Sequence, residues 1–288
     1  MEQARIEIVK TGNHPRDLDP LVDSISKDHN PFNEAHGKRL AWAPDIKKNG
    51  RRIAYFSGCT AAYRENEIAQ STVQLLGSLN HSVVLLKEEW CCGSPLFRTG
   101  FVDQALEVAR HNIDIFNELE AEAIIVTCPG CYRALTVDYP EYGLNFNKPI
   151  HHISEFLEGR LDDLPTGTFV GSITYHDPCH LGRHMDVYEA PRRVIQRITG
   201  KAVTEMERNR ENAACCGNGA GLRTLFTEKA KKIGAERVRH AEDVGANMLV
   251  TACPFCKNML KSQAGENVDV IDLPELVEKA MMDRKRHK

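Results

Sequence analysis

Ten cysteines fall twice into the same five-position order, and that repetition constrains the chain more than any other feature. Each set runs lone cysteine, doublet, Cys-Pro-x-Cys. The first is Cys59, Cys91-Cys92 and Cys128/Cys131; the second is Cys179, Cys215-Cys216 and Cys253/Cys256. The pattern reads C-x31-CC-x35-C-x2-C and then C-x35-CC-x36-C-x2-C, and no cysteine is left over. Cysteines packed singly as small hydrophobes have no reason to recur in one order. The opening Met1-Glu2-Gln3-Ala4-Arg5 has no apolar core of the secretory kind. In a reducing compartment such a set points to metal rather than to disulfides.

The apolar share of 42% and charged share of 27% are those of a soluble globular protein, and 288 residues suffice for two units with their own cores. A net charge of −3 gives no general pull toward nucleic acid or anionic lipid. No apolar run approaches the roughly 18 residues of a membrane span. The expectation is a cytoplasmic protein, or a peripheral subunit on a membrane complex, with no direct membrane span.

Residues 1–50 are polar and rich in proline (Pro15, Pro20, Pro31, Pro44) and predict an arm, extended or in short helices, that docks a partner subunit, with Trp42 either a candidate anchor or an ordinary packing residue. Regular structure starts at Arg52-Ile53-Ala54-Tyr55-Phe56-Ser57 and alternates strand with helix. Strands are expected at 81–86, 123–127 and 149–152, and a helix over 102–119. After a linker over 158–171 the series repeats, with strands at 172–175, 202–206, 247–251 and 268–271 and a helix over 222–242. This predicts an α/β fold of two tandem duplicated Rossmann-like domains with parallel sheets, at 51–165 and 166–288, behind the irregular arm. In both halves the cysteines follow strands, in loops at the carboxyl edge of a parallel sheet, where α/β proteins place ligands. Five thiols would meet there, twice.

Five is one more than a tetrahedral zinc site or a cubane four-iron cluster takes. Either one cysteine bridges two irons, or the cluster is not a cube, or one thiol of each doublet is a spare nucleophile. Gly93, Gly217, Gly219 and Gly221 allow backbone N–H groups to approach sulfur. No glycine-rich dinucleotide fingerprint is present, so bound NAD or FAD is not expected.

Both halves resemble the cysteine-rich CCG domain of heterodisulfide reductase catalytic subunits, including the membrane-type form of that enzyme. The domain also occurs in iron–sulfur subunits of glycolate oxidase, anaerobic glycerol-3-phosphate dehydrogenase and some succinate dehydrogenases. The resemblance runs from about Gly58 to Leu276. It is carried best by Trp90-Cys91-Cys92-Gly93-Ser94-Pro95-Leu96-Phe97-Arg98-Thr99-Gly100 and Tyr175-His176-Asp177-Pro178-Cys179-His180-Leu181-Gly182-Arg183. Asn30-Pro31-Phe32 and Arg39-Leu40-Ala41-Trp42 resemble the connector that follows a ferredoxin-like domain in fused members.

The resemblance implies two noncubane [4Fe-4S] clusters. Cys59, Cys91, Cys92, Cys128 and Cys131 would hold one, and Cys179, Cys215, Cys216, Cys253 and Cys256 the other. It leaves zinc open in one of the two sites. The chain lacks the ferredoxin-type cysteine runs of fused relatives, so electrons would come from a separate ferredoxin-like iron–sulfur subunit (heterodisulfide reductase C-like) and further redox subunits. The acceptor would be a small-molecule disulfide or a similar compound. His176, His180, Arg183 and Arg98 are candidate substrate contacts or tuners of the cluster. His151 and His152 read as structural. A pure electron relay in a dehydrogenase or quinone-linked complex and a zinc-stapled scaffold are the alternatives.

Overall fold

The computed structural model describes residues 1–46, 50–167 and 169–286. Residues 47–49 of the expected arm and 168, 287 and 288 of the expected second unit lie outside it. Two parallel sheets organise the chain. The first holds β1 (Arg51–Phe56), β2 (His81–Leu85), β3 (Ile124–Val126) and β4 (Ile150–His152) in the order β2-β1-β3-β4. The second holds β5 (Ile173–His176), β6 (Met248–Thr251) and β7 (Asp269–Asp272) in the order β5-β6-β7.

Helices fill the connections. The arm forms α1 (Glu2–Lys10) and α2 (Asp19–Asp28). The first half adds α3 (Gly58–Tyr63), α4 (Asn66–Ser78), α5 (Ser94–Thr99), α6 (Val102–Glu118), α7 (Pro129–Arg133), α8 (Tyr139–Glu141) and α9 (Ile153–Glu158). The second half adds α10 (Glu189–Thr199), α11 (Leu222–Leu225), α12 (Thr227–Asp243), α13 (Pro254–Gln263) and α14 (Leu273–Arg286). In α6 the buried residues Ala105, Val108, Ala109, Asn112, Ile113 and Phe116 recur at three- and four-residue steps, which turns one stripe to the sheet.

One face of each sheet packs into a common core. Tyr55, Ile68 and Leu75 of the first half share it with Tyr175, Val194, Val250 and Leu276 of the second. The opposite face of the first sheet is covered by α5 and α6, with Leu18, Val22 and Ile25 of the arm.

Two expectations need correction. The segment 202–206 is not a strand: Thr204 N–H reaches Ile173 O at 2.7 Å, but Glu205 turns aside to Arg192 (2.7 Å), and the second sheet keeps three strands. Trp42 is not a free anchor. It is buried in the common core with its ring edge-on to Tyr55, centroids 6.2 Å apart. The described arm forms short helices that lie on the first half and reach the second where Leu18 stands beside Gly221.

β4 ends in His152, which is fully buried and caps α9. Its Nδ1 accepts from Ser154 N–H (3.3 Å), so Nε2 carries the proton toward Thr127 O (3.1 Å). Burial pushes this imidazole from 6.5 down to about 4. The folded ring therefore refuses a proton that the unfolded chain accepts, and its contribution is complete above about pH 6.5 and lost as pH falls toward 4. For this one group the loss is on the order of 3 kcal/mol. Urea midpoints of wild type and His152→Asn, measured across that window, should show a smaller pH dependence in the variant.

Candidate functional site

β1 leads into Ser57-Gly58-Cys59, and the first doublet follows β2. A single carboxylate ties the two loops together. Glu89, two residues before the doublet, accepts Ser57 N–H and Gly58 N–H, both at 2.9 Å. Arg39 of the arm pairs with Glu89 at 2.6 Å, each side chain being 1% exposed, and its Nη2 donates to Cys59 Sγ at 3.4 Å. Trp90 stacks between His29 and His111, at 3.5 and 3.7 Å between centroids. Asn112 of α6 holds Trp90 N–H (3.0 Å) and Cys91 O (3.1 Å). Gly58 has φ 69°, and an added Cβ would stand 3.0 Å from Cys131 Sγ. Only glycine leaves that room for the sulfur.

The second half repeats this with other residues. Asp177, two residues before Cys179, takes a bidentate pair from Arg192 (2.7 and 2.9 Å) and Arg210 N–H (2.9 Å). Arg183 donates to Glu211 O (3.1 Å) and Ala213 O (3.0 Å), just ahead of the second doublet. Gly217 has φ 88°, and its missing Cβ lets the doublet loop lie against Ala230 O of α12. Asp272, at the end of β7, accepts Cys253 N–H at 2.8 Å. It serves the Cys-Pro-x-Cys loop from the edge strand, as His152 does in the first half.

All ten cysteines are free thiols, and all ten line one cavity of about 550 Å³ between the halves. The resemblance implies a pocket for each set, the two facing each other across the interface between the halves. The structure joins them in one cavity, where Cys128 and Cys253 influence each other's ionisation across the divide. Cys128 is held well below the usual thiol range by Cys131 and Cys253, and Cys216 by Cys215 and Cys256. Their neighbours Cys131 and Cys256 are driven well above it, first by those same thiol contacts and then by burial. Thiols this close cannot all ionise without a cation among them.

The donors fit an iron–sulfur group. They are sulfurs in two sets, with backbone N–H groups turned toward them. Gly217 N–H reaches Cys215 Sγ at 3.2 Å, and Cys256 N–H reaches Cys253 Sγ at 3.4 Å. Such bonds stabilise sulfur-bound negative charge.

Of the other candidates, His180 and Arg98 line the cavity, whereas His176 and Arg183 do not. His180 lies beside Cys179 Sγ (Nδ1 at 3.8 Å), and its Nε2 has no partner among the described residues. Arg98 is largely neutralised by Asp138 (2.7 Å) and by Glu2 of α1 (3.1 Å). Arg183 is exposed and gives one nitrogen, Nη1, to the two loop carbonyls. Sequence reasoning did not single out Arg39, Glu89, Arg192 or Arg237. A carboxylate two residues before a cysteine, in Glu89 and again in Asp177, was the available signal.

The cysteine-rich domain family matches this chain twice, over residues 53–136 and 173–261. The chain is 37% identical over 294 residues to a subunit of the dihydromethanophenazine:CoB–CoM heterodisulfide reductase of Methanosarcina barkeri, covering 97% of this chain and 72% of that protein. It is 34% identical over 239 residues to a subunit of the fumarate reductase (CoM/CoB) of Methanothermobacter marburgensis, covering 81% of this chain and 47% of that one. It is 29% identical over 312 residues to EtfAB:quinone oxidoreductase of Syntrophomonas wolfei, covering 98% and 43%.

Three substitutions, one of them a control, test how the loops are held. In Gly217→Ala the new Cβ would stand 2.2 Å from Ala230 O, so unfolding measurements should show a loss of at least about 2 kcal/mol. Gly219→Ala enters open space and should stay within about 0.5 kcal/mol. Glu89→Leu strands the buried Arg39 cation and should cost about 3–5 kcal/mol by the same assay.

Proposed function

Because the chain belongs to the cysteine-rich CCG domain family and carries the domain twice, we propose that it is a heterodisulfide-reductase-like iron–sulfur subunit that reduces a small-molecule disulfide. Cys59, Cys91, Cys92, Cys128 and Cys131 would hold one noncubane [4Fe-4S] cluster. Cys179, Cys215, Cys216, Cys253 and Cys256 would hold the other. The units would span 51–165 and 166–288. The observation that carries this reading is the single cavity on which ten free thiols converge.

Bound there, each cluster would supply one electron at a time. Cleaving a disulfide R–S–S–R′ takes two electrons, delivered by a partner redox subunit, and two protons, and it releases two thiols. The chain's own contribution is a place to do this. Leu21, Pro31, Phe32 and Phe255 give the cavity apolar wall that displaces water from a bound molecule. Pro178 and His180 bring a free imidazole nitrogen to the same wall. The rim at Arg64, Arg223, Thr224 and Thr227 is exposed, so a small molecule has a way in. That access favours substrate reduction over a sealed relay.

Electrons would arrive from a ferredoxin-like iron–sulfur subunit docked on the arm, where α1 leaves Ile8 43% exposed. Among the described residues no helix is long and apolar enough to cross a membrane, so attachment to a membrane complex would be peripheral. A second reading, a lone metal ion such as zinc in the second half, draws on one observation: a ring nitrogen of His176 and the sulfurs of Cys216 and Cys256 all lie within 4.8 Å of one another.

Protein purified without oxygen, in its complex, should be coloured, contain iron and acid-labile sulfide, and give two low-temperature EPR signals on reduction. Cys216→Ser should lose one signal and keep the other. Two zinc ions with no sulfide would overturn the redox reading.

A further inference from the structure

We propose that His176 is a hydrogen-bond donor to the sulfur of Cys216, fixed in that role by Arg237, and is not a metal ligand. This rests on the iron–sulfur reading of the second quintet. The imidazole ends β5 with 1% exposure, behind the cavity wall, where bound substrate cannot reach it. Arg237 of α12, 0% exposed, donates its Nε–H to His176 Nδ1 at 3.1 Å and its Nη1 to Arg208 O at 2.8 Å.

A guanidinium has donors and no acceptor, so Nδ1 must accept and the ring proton must sit on Nε2. Ligation through Nδ1 would need the lone pair that Arg237 already engages. Ligation through Nε2 would move the proton to Nδ1 and set two donors face to face. What remains is Nε2–H, which has no hydrogen-bond partner among the described residues, in a ring of which one nitrogen lies within 4.8 Å of the sulfurs of Cys216 and Cys256 and which a sulfur-bound cluster there would engage.

The duplicated fold supplies its own control. Three residues before Cys179 stands His176, and three residues before Cys59 stands Phe56. Phe56 ends β1 in the same sheet position and packs on Phe116 with centroids 5.9 Å apart. The first half therefore has hydrocarbon where the second has an N–H donor. Hydrogen bonds to cluster sulfur raise the reduction potential. Through this contact the second centre is easier to reduce than it would otherwise be.

The test uses the anaerobic holoprotein in its complex. In wild type labelled with 15N in the histidine rings, pulsed EPR of the reduced second centre should show a weak coupling of the kind transmitted across a hydrogen bond. In His176→Phe, iron and sulfide should be retained and the second centre's potential should fall. The fall should reach up to about tenfold in the reduced-to-oxidised ratio, about 59 mV for one electron, with the first centre unmoved. Arg237→Met frees Nδ1 and should move the same potential in the same direction by less. A directly bonded histidine nitrogen in wild type, or an unchanged potential in His176→Phe, overturns the proposal. Wild type without iron would instead sink the iron–sulfur reading beneath it.

Discussion

Sulfur atoms brought together inside a protein repel as soon as they ionise, and the fold has to hold them there regardless. The cysteines sit in strand-to-helix loops and in the first turns of the helices that follow, with few ladder bonds of their own. Buried ion pairs do the holding. Glu89 with Arg39 and Asp177 with Arg192 are among the most enclosed charges in the chain. Such pairs are poor sources of net stability but strict about geometry, because either partner left alone is expensive to bury. Their use at the roots of the cysteine loops fits a site where position matters more than added stability.

The two halves reach this end with reversed polarity. In the first, the acid comes from the doublet loop and grips the backbone of the lone-cysteine loop, Glu89 holding Ser57 and Gly58. In the second, the acid comes from the lone-cysteine loop and grips the approach to the doublet, Asp177 holding Arg210 N–H. The cation also differs in origin. The second half draws Arg192 from its own α10, whereas the first borrows Arg39 from the arm. This accounts for an arm that folds back: without it Glu89 would be buried and unpaired. It also places an arm residue in contact with Cys59, so a partner that shifted the arm would be felt at the first quintet.

The sequence made the strands and the long helices legible because their periodicity is carried by core residues. β1, β3 and β6 are apolar runs that end at cysteines, and α6 shows its stripe plainly. It misled at 202–206, where an alternating stretch reads as a strand until Glu205 is drawn off to Arg192, a partner 13 residues away that periodicity cannot reveal. It left Trp42 open between anchor and packing residue because an apolar residue in a polar context looks the same whether it faces a partner or its own core. The cysteines were visible as a pattern. That the two sets face each other across the interface between the halves followed from the resemblance and not from the pattern itself, since it depends on how the halves dock. The difference between His176 and Phe56 was not visible, because its meaning comes from Arg237, distant in sequence and adjacent only in the fold.

Docking is settled by features that belong to neither half alone. Lys257, which directly follows the last Cys-Pro-x-Cys pair and is 1% exposed, pairs with Glu65 of the first half and Glu275 of the second, both at 2.9 Å. Asn258 adds a bond to Glu65 at 2.9 Å. These contacts leave the end of α3 and the start of α13 little freedom to slide, and those helices carry Cys59 and Cys256. The common core below them resists hinging, because opening it would expose Tyr55, Tyr175 and Val250 together. A cavity between two halves is usually a place of motion. Here the charge network and the core oppose such motion, which would suit the proposed delivery of electrons to a bond lying between the two sets of sulfurs.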